Sequence, residues 1–254
     1  MFERPVTQIG GMPRTPFTVT SFGVSDVGTV REINEDSYII RPNLCLWAVA
    51  DGMGGHARGD FASQTVVDML GHVRAWSQPR QMMHDVVARL EDANTTLLKT
   101  AAESGSSAIG STVVCLLALD RQGLIVWAGD SRAYRVRQDR IEQLSKDHTV
   151  VEDLVDAGLL KPEEAEDHPH GHVLTRAIGA ADSLELDFET VEITPGDCFV
   201  LCSDGLTGMV SDAEIRDTII TEHDLEDACQ RLIAMAVERG ATDNVTVVSV
   251  GFMR

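Results

Sequence analysis

Two helical patterns stand back to back in this chain, at 60–75 and 81–102, with no strand pattern between them. In the first, Phe61, Val66, Val67, Leu70 and Val73 follow helical spacing; in the second, Met82, Val86, Leu90, Ala93 and Leu97 do. Short strand-like runs precede them at 17–24, 37–40 and 44–50, the last two parted by a Pro42-Asn43 turn. Four more follow at 111–119, 124–128, 133–137 and 141–144, separated by turn signals. Strand character returns at 173–178, 184–191 and 198–202. A helix capped by Ser211 and Glu214 comes next, then another at 225–238 stopped by Gly240, and 244–252 alternates as a final strand. Grouped strands and paired helices predict an α+β fold of antiparallel sheets covered by helices, not a regular βαβ winding.

That order decides how the glycine loop is read. Gly52-Met53-Gly54-Gly55-His56-Ala57 fits G-x-G-x-x-G/A. A dinucleotide-binding turn also needs a parallel strand after its first helix and an acidic residue about 20 positions on. Here a second helix comes first, so the match is read as accidental.

The charge narrows the partners. A net charge of −19 argues against nucleic acid and anionic membranes, which need clusters of Lys and Arg. The longest apolar runs, 44–50 and 113–119, are seven residues each, whereas a membrane span needs about 20, so no membrane insertion is expected. The first residues carry no apolar signal segment. Five cysteines (Cys45, Cys115, Cys198, Cys202 and Cys229) form no CxxC pair and read as buried free thiols, with the cytoplasm as the expected compartment.

Residues 1–16, with three prolines and two glycines, read as a mobile lead-in to a single domain over 17–254. Within it, 145–172 is polar and acidic, with helix-start signals at Thr149/Glu152 and Pro162. The tract His168-Pro169-His170-Gly171-His172 in that segment reads either as an exposed loop or as a small metal-binding tract.

Four aspartates sit at the borders of apolar runs: Asp51 after 44–50, Asp130 after 124–128, Asp204 after 198–202, and Asp243 before 244–252. A carboxylate at the end of a buried strand is costly unless it is paired or bound to a cation. Glycine after Asp51 and Asp204 allows close backbone approach, so a main-chain carbonyl could join a hard-cation site. Asp-Gly also marks ordinary turns. Spacing alone leaves both readings open.

The ordered motifs decide between them. Ser25-Asp26-Val27-Gly28 leads to Arg31-x-x-Asn34-Glu35-Asp36-Ser37, then Val49-Ala50-Asp51-Gly52-Met53-Gly54-Gly55-His56 and Gly110-Ser111-Thr112. Gly129-Asp130-Ser131-Arg132, Leu174-Thr175-Arg176-Ala177-Ile178-Gly179, Cys202-Ser203-Asp204-Gly205-Leu206 and Ala241-Thr242-Asp243-Asn244-Val245-Thr246 follow. Over about 20–252 the chain resembles the metal-dependent protein phosphatases of type 2C, in their compact bacterial form.

The resemblance implies two packed antiparallel β-sheets flanked by pairs of helices, with 145–172 as a small flap. It implies hydrolysis of phosphoserine and phosphothreonine on proteins by metal-bound hydroxide, in signal transduction that opposes a bacterial Ser/Thr kinase. Two to three Mg²⁺ or Mn²⁺ ions are the implied cofactors. Asp51 would bridge two ions, the Gly52 carbonyl would bind one, and Asp204 and Asp243 would complete the other's protein ligands. Asp130 would help bind a third, weaker ion. Glu35 and Asp36 would act mainly through metal-bound water, with Asn244 supporting the ligands. Arg31 would hold the substrate phosphate, for which its paired donors suit two phosphate oxygens. Phosphorylated proteins, including a kinase or its substrate, are the implied partners of a monomeric enzyme.

One position departs from the family pattern. Many animal members carry Asp-Gly-His, with that histidine proposed as general acid; here Met53 stands there and transfers no proton. His56, three residues on, is either an alternative general acid or part of the loop's structure.

Overall fold

The computed structural model describes residues 15–54, 58–76, 78–105, 109–161, 164, 168–171 and 173–254. The lead-in, apart from residues 15 and 16, therefore lies outside the described residues, as do His56, Pro162 and His172.

Two antiparallel sheets pack face to face. One has the order β1 (Thr18–Asp26), β11 (Val245–Met253), β10 (Cys198–Cys202), β7 (Arg132–Arg137), β8 (Arg140–Gln143). The other has the order β2 (Asp36–Arg41), β3 (Leu46–Met53), β5 (Val113–Leu119), β6 (Gln122–Ala128), β9 (Asp187–Glu192), with β4 (Gly110–Ser111) paired to the end of β3. Helices α1 (Gly59–Gly71) and α2 (Pro79–Ser104) cover the second sheet. Helices Asp204–Thr207, Asp212–Thr221 and Leu225–Glu238 cover the first.

The unbroken apolar runs of the central strands follow from this layering. Side chains alternate across a strand, and here both faces are buried. Trp47 and Val49 of β3 point between the sheets and meet Phe199, Val248 and Phe252, while Leu46, Ala48 and Ala50 point outward onto α1 and α2. Phe252 is the hub of the inner layer: Trp47 and Phe199 meet it edge-on at 6.2 and 5.6 Å between ring centroids. The five cysteines are buried free thiols, and burial raises the pKa of each.

Two helix-start signals read from sequence appear where expected. Ser211 and Glu214 form a reciprocal capping box, and the Thr149 hydroxyl accepts from Glu152 N at the start of α3 (Val150–Asp156).

Three local readings differ. The segment 173–178 forms no strand: Leu174 bridges Thr149 while Ile178 bridges Ser111, so the extended backbone changes partner and builds no ladder. The run 111–119 breaks at Thr112, whose N–H leaves the ladder to bond Asp51 O at 2.8 Å. The Pro42-Asn43 turn is present as a 3₁₀ turn over Pro42–Leu44, but the strand after it starts at Leu46 rather than Leu44, because Cys45 takes a left-handed conformation at φ 51°.

Candidate active site

The antiparallel register carries the motif aspartates to one end of the sandwich. In the second sheet that end holds the start of β2 and the end of β3, where Asp36 and Asp51 are direct cross-strand partners. In the first sheet it holds the end of β1, the start of β11 and the end of β10: Asp26 pairs with Val245, and Cys202 with Val247. Asp204 begins the helix that leaves β10, and Asp243 lies two residues before β11. Asp130 sits in the turn that crosses from β6 to β7, and hence from one sheet to the other.

The aspartates feel one another strongly. Burial, and then repulsion from Asp36, Asp204, Asp130 and Asp243, raises the Asp51 pKa well above the usual carboxylate range. Burial is also the main cause that pushes Asp36 and Asp130 up to about 7, with Asp204 adding to both. Such a cluster is stable as anions only with nearby positive charge.

Short-range bonds fix the backbone that carries Asp51 and the turn that carries Asp130. Asp51 N–H donates to Thr112 Oγ1 at 3.0 Å, and Asp51 O accepts from Thr112 N and Ser111 Oγ at 2.8 and 3.0 Å. Thr112 Oγ1 is 2.7 Å from Ser131 Oγ, which links the Asp51 strand end to the Asp130 turn. Behind that turn, Gly129 N–H donates to His148 Nδ1 at 3.1 Å, so Nδ1 carries no proton, and burial lowers the His148 pKa. Arg132 grips Asp147 through Nε and Nη2 and also donates to the Tyr134 hydroxyl.

Asp36 is held by one oxygen only. Ser203 Oγ and Thr246 Oγ1 both donate to Oδ2 at 2.7 Å, whereas buried Oδ1 has no hydrogen-bond partner among the described residues. Asn34 Nδ2 donates to Ser25 Oγ, whose proton is then directed to Thr246 Oγ1, since the Thr246 proton is committed to Asp36. This one-way chain was not legible as functional, because Ser and Thr inside strands read as ordinary sheet formers. The one sequence signal is that Ser25, Ser203 and Thr246 each stand within three residues of an aspartate in a motif.

Asn244 ties the 27–35 loop to the site. Its Oδ1 accepts from Glu35 N at 2.8 Å, and its Nδ2 donates to Val27 O and Ile33 O at 2.9 and 3.1 Å. Glu35 Oε1 accepts from Gly59 N at 3.0 Å and so anchors the first turn of α1. Arg31 Nη2 donates to Asp243 Oδ2 at 2.8 Å.

The glycines after Asp51 and Asp204 do allow close backbone approach. A Cβ on Gly52 would lie 1.9 Å from Gly59 O, and one on Gly205 would lie 2.0 Å from Asn244 O.

Hard oxygen donors, mutual repulsion and the orphaned Oδ1 of Asp36 fit divalent cations such as Mg²⁺ or Mn²⁺. The carboxylates converge without closing: among the described residues no group of three or more His, Cys, Asp or Glu side chains is already arranged to hold an ion. Asp243, one of the expected ligands, has its Oδ2 engaged by Arg31. Of the residues singled out from sequence, Arg31, Glu35, Asp36, Asp51, Gly52, Asp130, Asp204, Asp243 and Asn244 gather at this end, while His56 lies outside the described residues.

Known proteins share this fold. The protein phosphatase 2C family model matches residues 31–245. Protein phosphatase PhpP of Streptococcus pneumoniae is 35% identical over 242 residues, spanning 89% of this chain and 95% of that protein. Among solved structures, PppA, a regulatory component of T6SS in Pseudomonas aeruginosa, superimposes with a TM-score of 0.86 at 39% identity, covering 92% of this chain and 98% of that one. The catalytic domain of the serine/threonine phosphatase PstP, solved with two manganese ions, gives 0.83 at 33% identity, covering 94% and 100%. The chain belongs to the protein phosphatase 2C family and is a metal-dependent Ser/Thr protein phosphatase. No helix among its described residues is long and apolar enough to cross a membrane.

Proposed function

We propose that the aspartate end of the sandwich is the catalytic centre, and that it removes phosphate from phosphoserine and phosphothreonine on proteins that a bacterial Ser/Thr kinase modifies. The observation that carries this reading is the gathering of Asp36, Asp51, Asp130, Asp204 and Asp243 into one mutually repelling cluster beside an arginine.

Asp51 would bridge two Mg²⁺ or Mn²⁺ ions, with the Gly52 carbonyl serving one and Asp204 and Asp243 the other. Asp130 would help hold a third. When bound, the cations supply an activated water as nucleophile and offset charge on the transferring phosphoryl group. The protein's own groups bind and orient. Arg31, about half exposed at the rim, presents a planar fork that matches two phosphate oxygens. Asp36, held through Oδ2, keeps its buried Oδ1 available as an acceptor for water. Asn244 and Glu35 fix the Arg31 loop against β11 and α1.

No cysteine or serine nucleophile is required, in keeping with five buried thiols whose pKa values are raised. Met53 transfers no proton to the leaving alkoxide. His56→Ala tests the remaining histidine candidate: if both limbs of the pH–rate profile persist, His56 is not the acid.

The test of the function is manganese-dependent phosphate release from phosphothreonine peptides, which should disappear in Asp204→Asn. Release under no divalent metal would refute the proposal. Turnover of small aryl phosphates alone would restrict it to a small-phosphoester hydrolase.

A further inference from the structure

Asp243 uses both carboxylate oxygens. Oδ1 accepts from Asn244 N and Oδ2 from Arg31 Nη2, each at 2.8 Å. The other arm of the guanidinium, Nη1, stands 4.0 Å from Glu35 Oε2. Arg31 therefore lies between two of the acidic groups around the site, and its pKa is raised chiefly by the bond to Asp243.

The backbone on either side of this ion pair is tied together. Asn244 binds Val27 O, Ile33 O and Glu35 N, while Thr29 N and Oγ1 both donate to Ala241 O at 2.9 Å. Loop 27–35 and the approach to β11 thus behave as one unit. The Arg31 side chain is 47% exposed against 40% for Asp243, so the ion pair borders solvent rather than being enclosed by the fold.

A cation on Asp243 Oδ2 and a guanidinium on the same oxygen compete, because two like charges would stand within a few ångströms of each other and share one acceptor's electron density. We propose that Arg31 is the resident counter-ion of Asp243 and is displaced by the incoming divalent cation, so that metal loading and presentation of the phosphate-binding guanidinium are one event. This rests on the assignment of Asp243 as a metal ligand and Arg31 as the phosphate holder. Linkage makes the coupling reciprocal: an oxyanion that draws Arg31 away strengthens metal binding by the same factor. The device keeps Arg31 off stray anions until the site holds its metal.

The test is a double-mutant cycle read as Mn²⁺ affinity, from the free-Mn²⁺ resonance in electron paramagnetic titrations of the full chain, Arg31→Ala, Asp243→Ala and the double variant. Removing Arg31 should tighten Mn²⁺ binding by up to about fivefold where Asp243 is present, the range an exposed ion pair is worth. Without Asp243 the same change should have less than about half that effect, since only the general loss of one positive charge remains. Equal tightening in both backgrounds, or none, overturns the proposal.

A second measurement needs no variant. Saturation with diamagnetic Mg²⁺ should shift the Arg31 Nε–H signal and speed its exchange with solvent; an unchanged signal and exchange rate would overturn the displacement. A chain that bound neither ion would refute the metal assignment itself. Binding without any response at Arg31 would refute the displacement alone.

Discussion

Asp36 and Asp51 face each other as cross-strand partners at the end of the β2–β3 ladder, two carboxylates where a sheet ordinarily avoids like charges. Ser203 and Thr246 hold the first through a single oxygen, and Asp204, Asp130 and Asp243 add their charge to the second. The fold thus concentrates negative charge at one end of a sandwich, where bound cations would neutralise it.

The hydroxyl chain behind Asp36 should be measurable. Thr246→Val keeps the shape but removes a donor to a buried carboxylate, and should cost about 2 kcal/mol in urea unfolding, as expected for a hydrogen bond to a charged group. Thr246→Ser should restore most of the loss. The same pair should show weakened and restored Mn²⁺ affinity. Equal stability of Val and Thr would mean that the hydroxyl does not orient Asp36.

The pH dependence has an unusual sign. Asp36 and Asp130 are pushed up to about 7 in the fold, mainly by burial, against about 4 in an unfolded chain. The native state therefore binds more protons than the unfolded one between these values, and stability falls as pH rises through that window. Chelator-treated protein should melt at a lower temperature at pH 8 than at pH 6. Asp36→Asn, which keeps an acceptor for both hydroxyls, should narrow the difference. Saturating Mn²⁺ should reverse the order, because the cation competes with protons and binds more tightly as pH rises. Thermal melts with and without metal test all three statements.

Asp51→Asn should separate stability from function. Removing one charge from the repelling cluster should leave the chelated protein at least as stable as the parent, by thermal or urea unfolding. The same change should abolish the Mn²⁺-induced rise in melting temperature and lower phosphopeptide turnover by about a thousandfold or more, the loss of several kcal/mol of metal-based stabilisation. A variant that kept a full metal response would remove Asp51 from the bridging role.

Gly52→Ala and Gly205→Ala should damage the site from the backbone. The added carbons would meet Gly59 O and Asn244 O at 1.9 and 2.0 Å, and fixed main chain cannot yield as a flexible side chain does. Each should cost about 3 kcal/mol or more by urea unfolding, at the upper end of overpacking costs. Little change in either would show that the neighbouring turns shift freely.

Part of this site is legible in sequence because Asp51, Asp130, Asp204 and Asp243 each border an apolar run, but spacing leaves an ordinary-turn reading open, and the ordered motifs decide between the readings. Their meeting at one end is set by long-range pairing, with two helices between β3 and β5 and three between β10 and β11, while Gly52 and Gly205 stand where the neighbouring backbone approaches closely. Segment 173–178 is not legible, since its alternation reads as a strand but its bridges go to Thr149 and Ser111, two partners far apart in the chain. The Ser25–Thr246–Asp36–Ser203 chain is hidden for a related reason. Its direction depends on which hydroxyl lies opposite which carboxylate across three strands and a turn, and no local pattern encodes that. The Arg31–Asp243 pair joins residues 212 positions apart and is equally invisible to local patterns.

The most direct measurement is anomalous scattering from Mn²⁺-soaked crystals of the full chain. Two strong manganese peaks should share the Asp51 carboxylate, one also bound by the Gly52 carbonyl and the other by Asp204 and Asp243, with Arg31 released from Asp243. Manganese bound elsewhere, or at this end without Asp51 between the ions, would contradict the account.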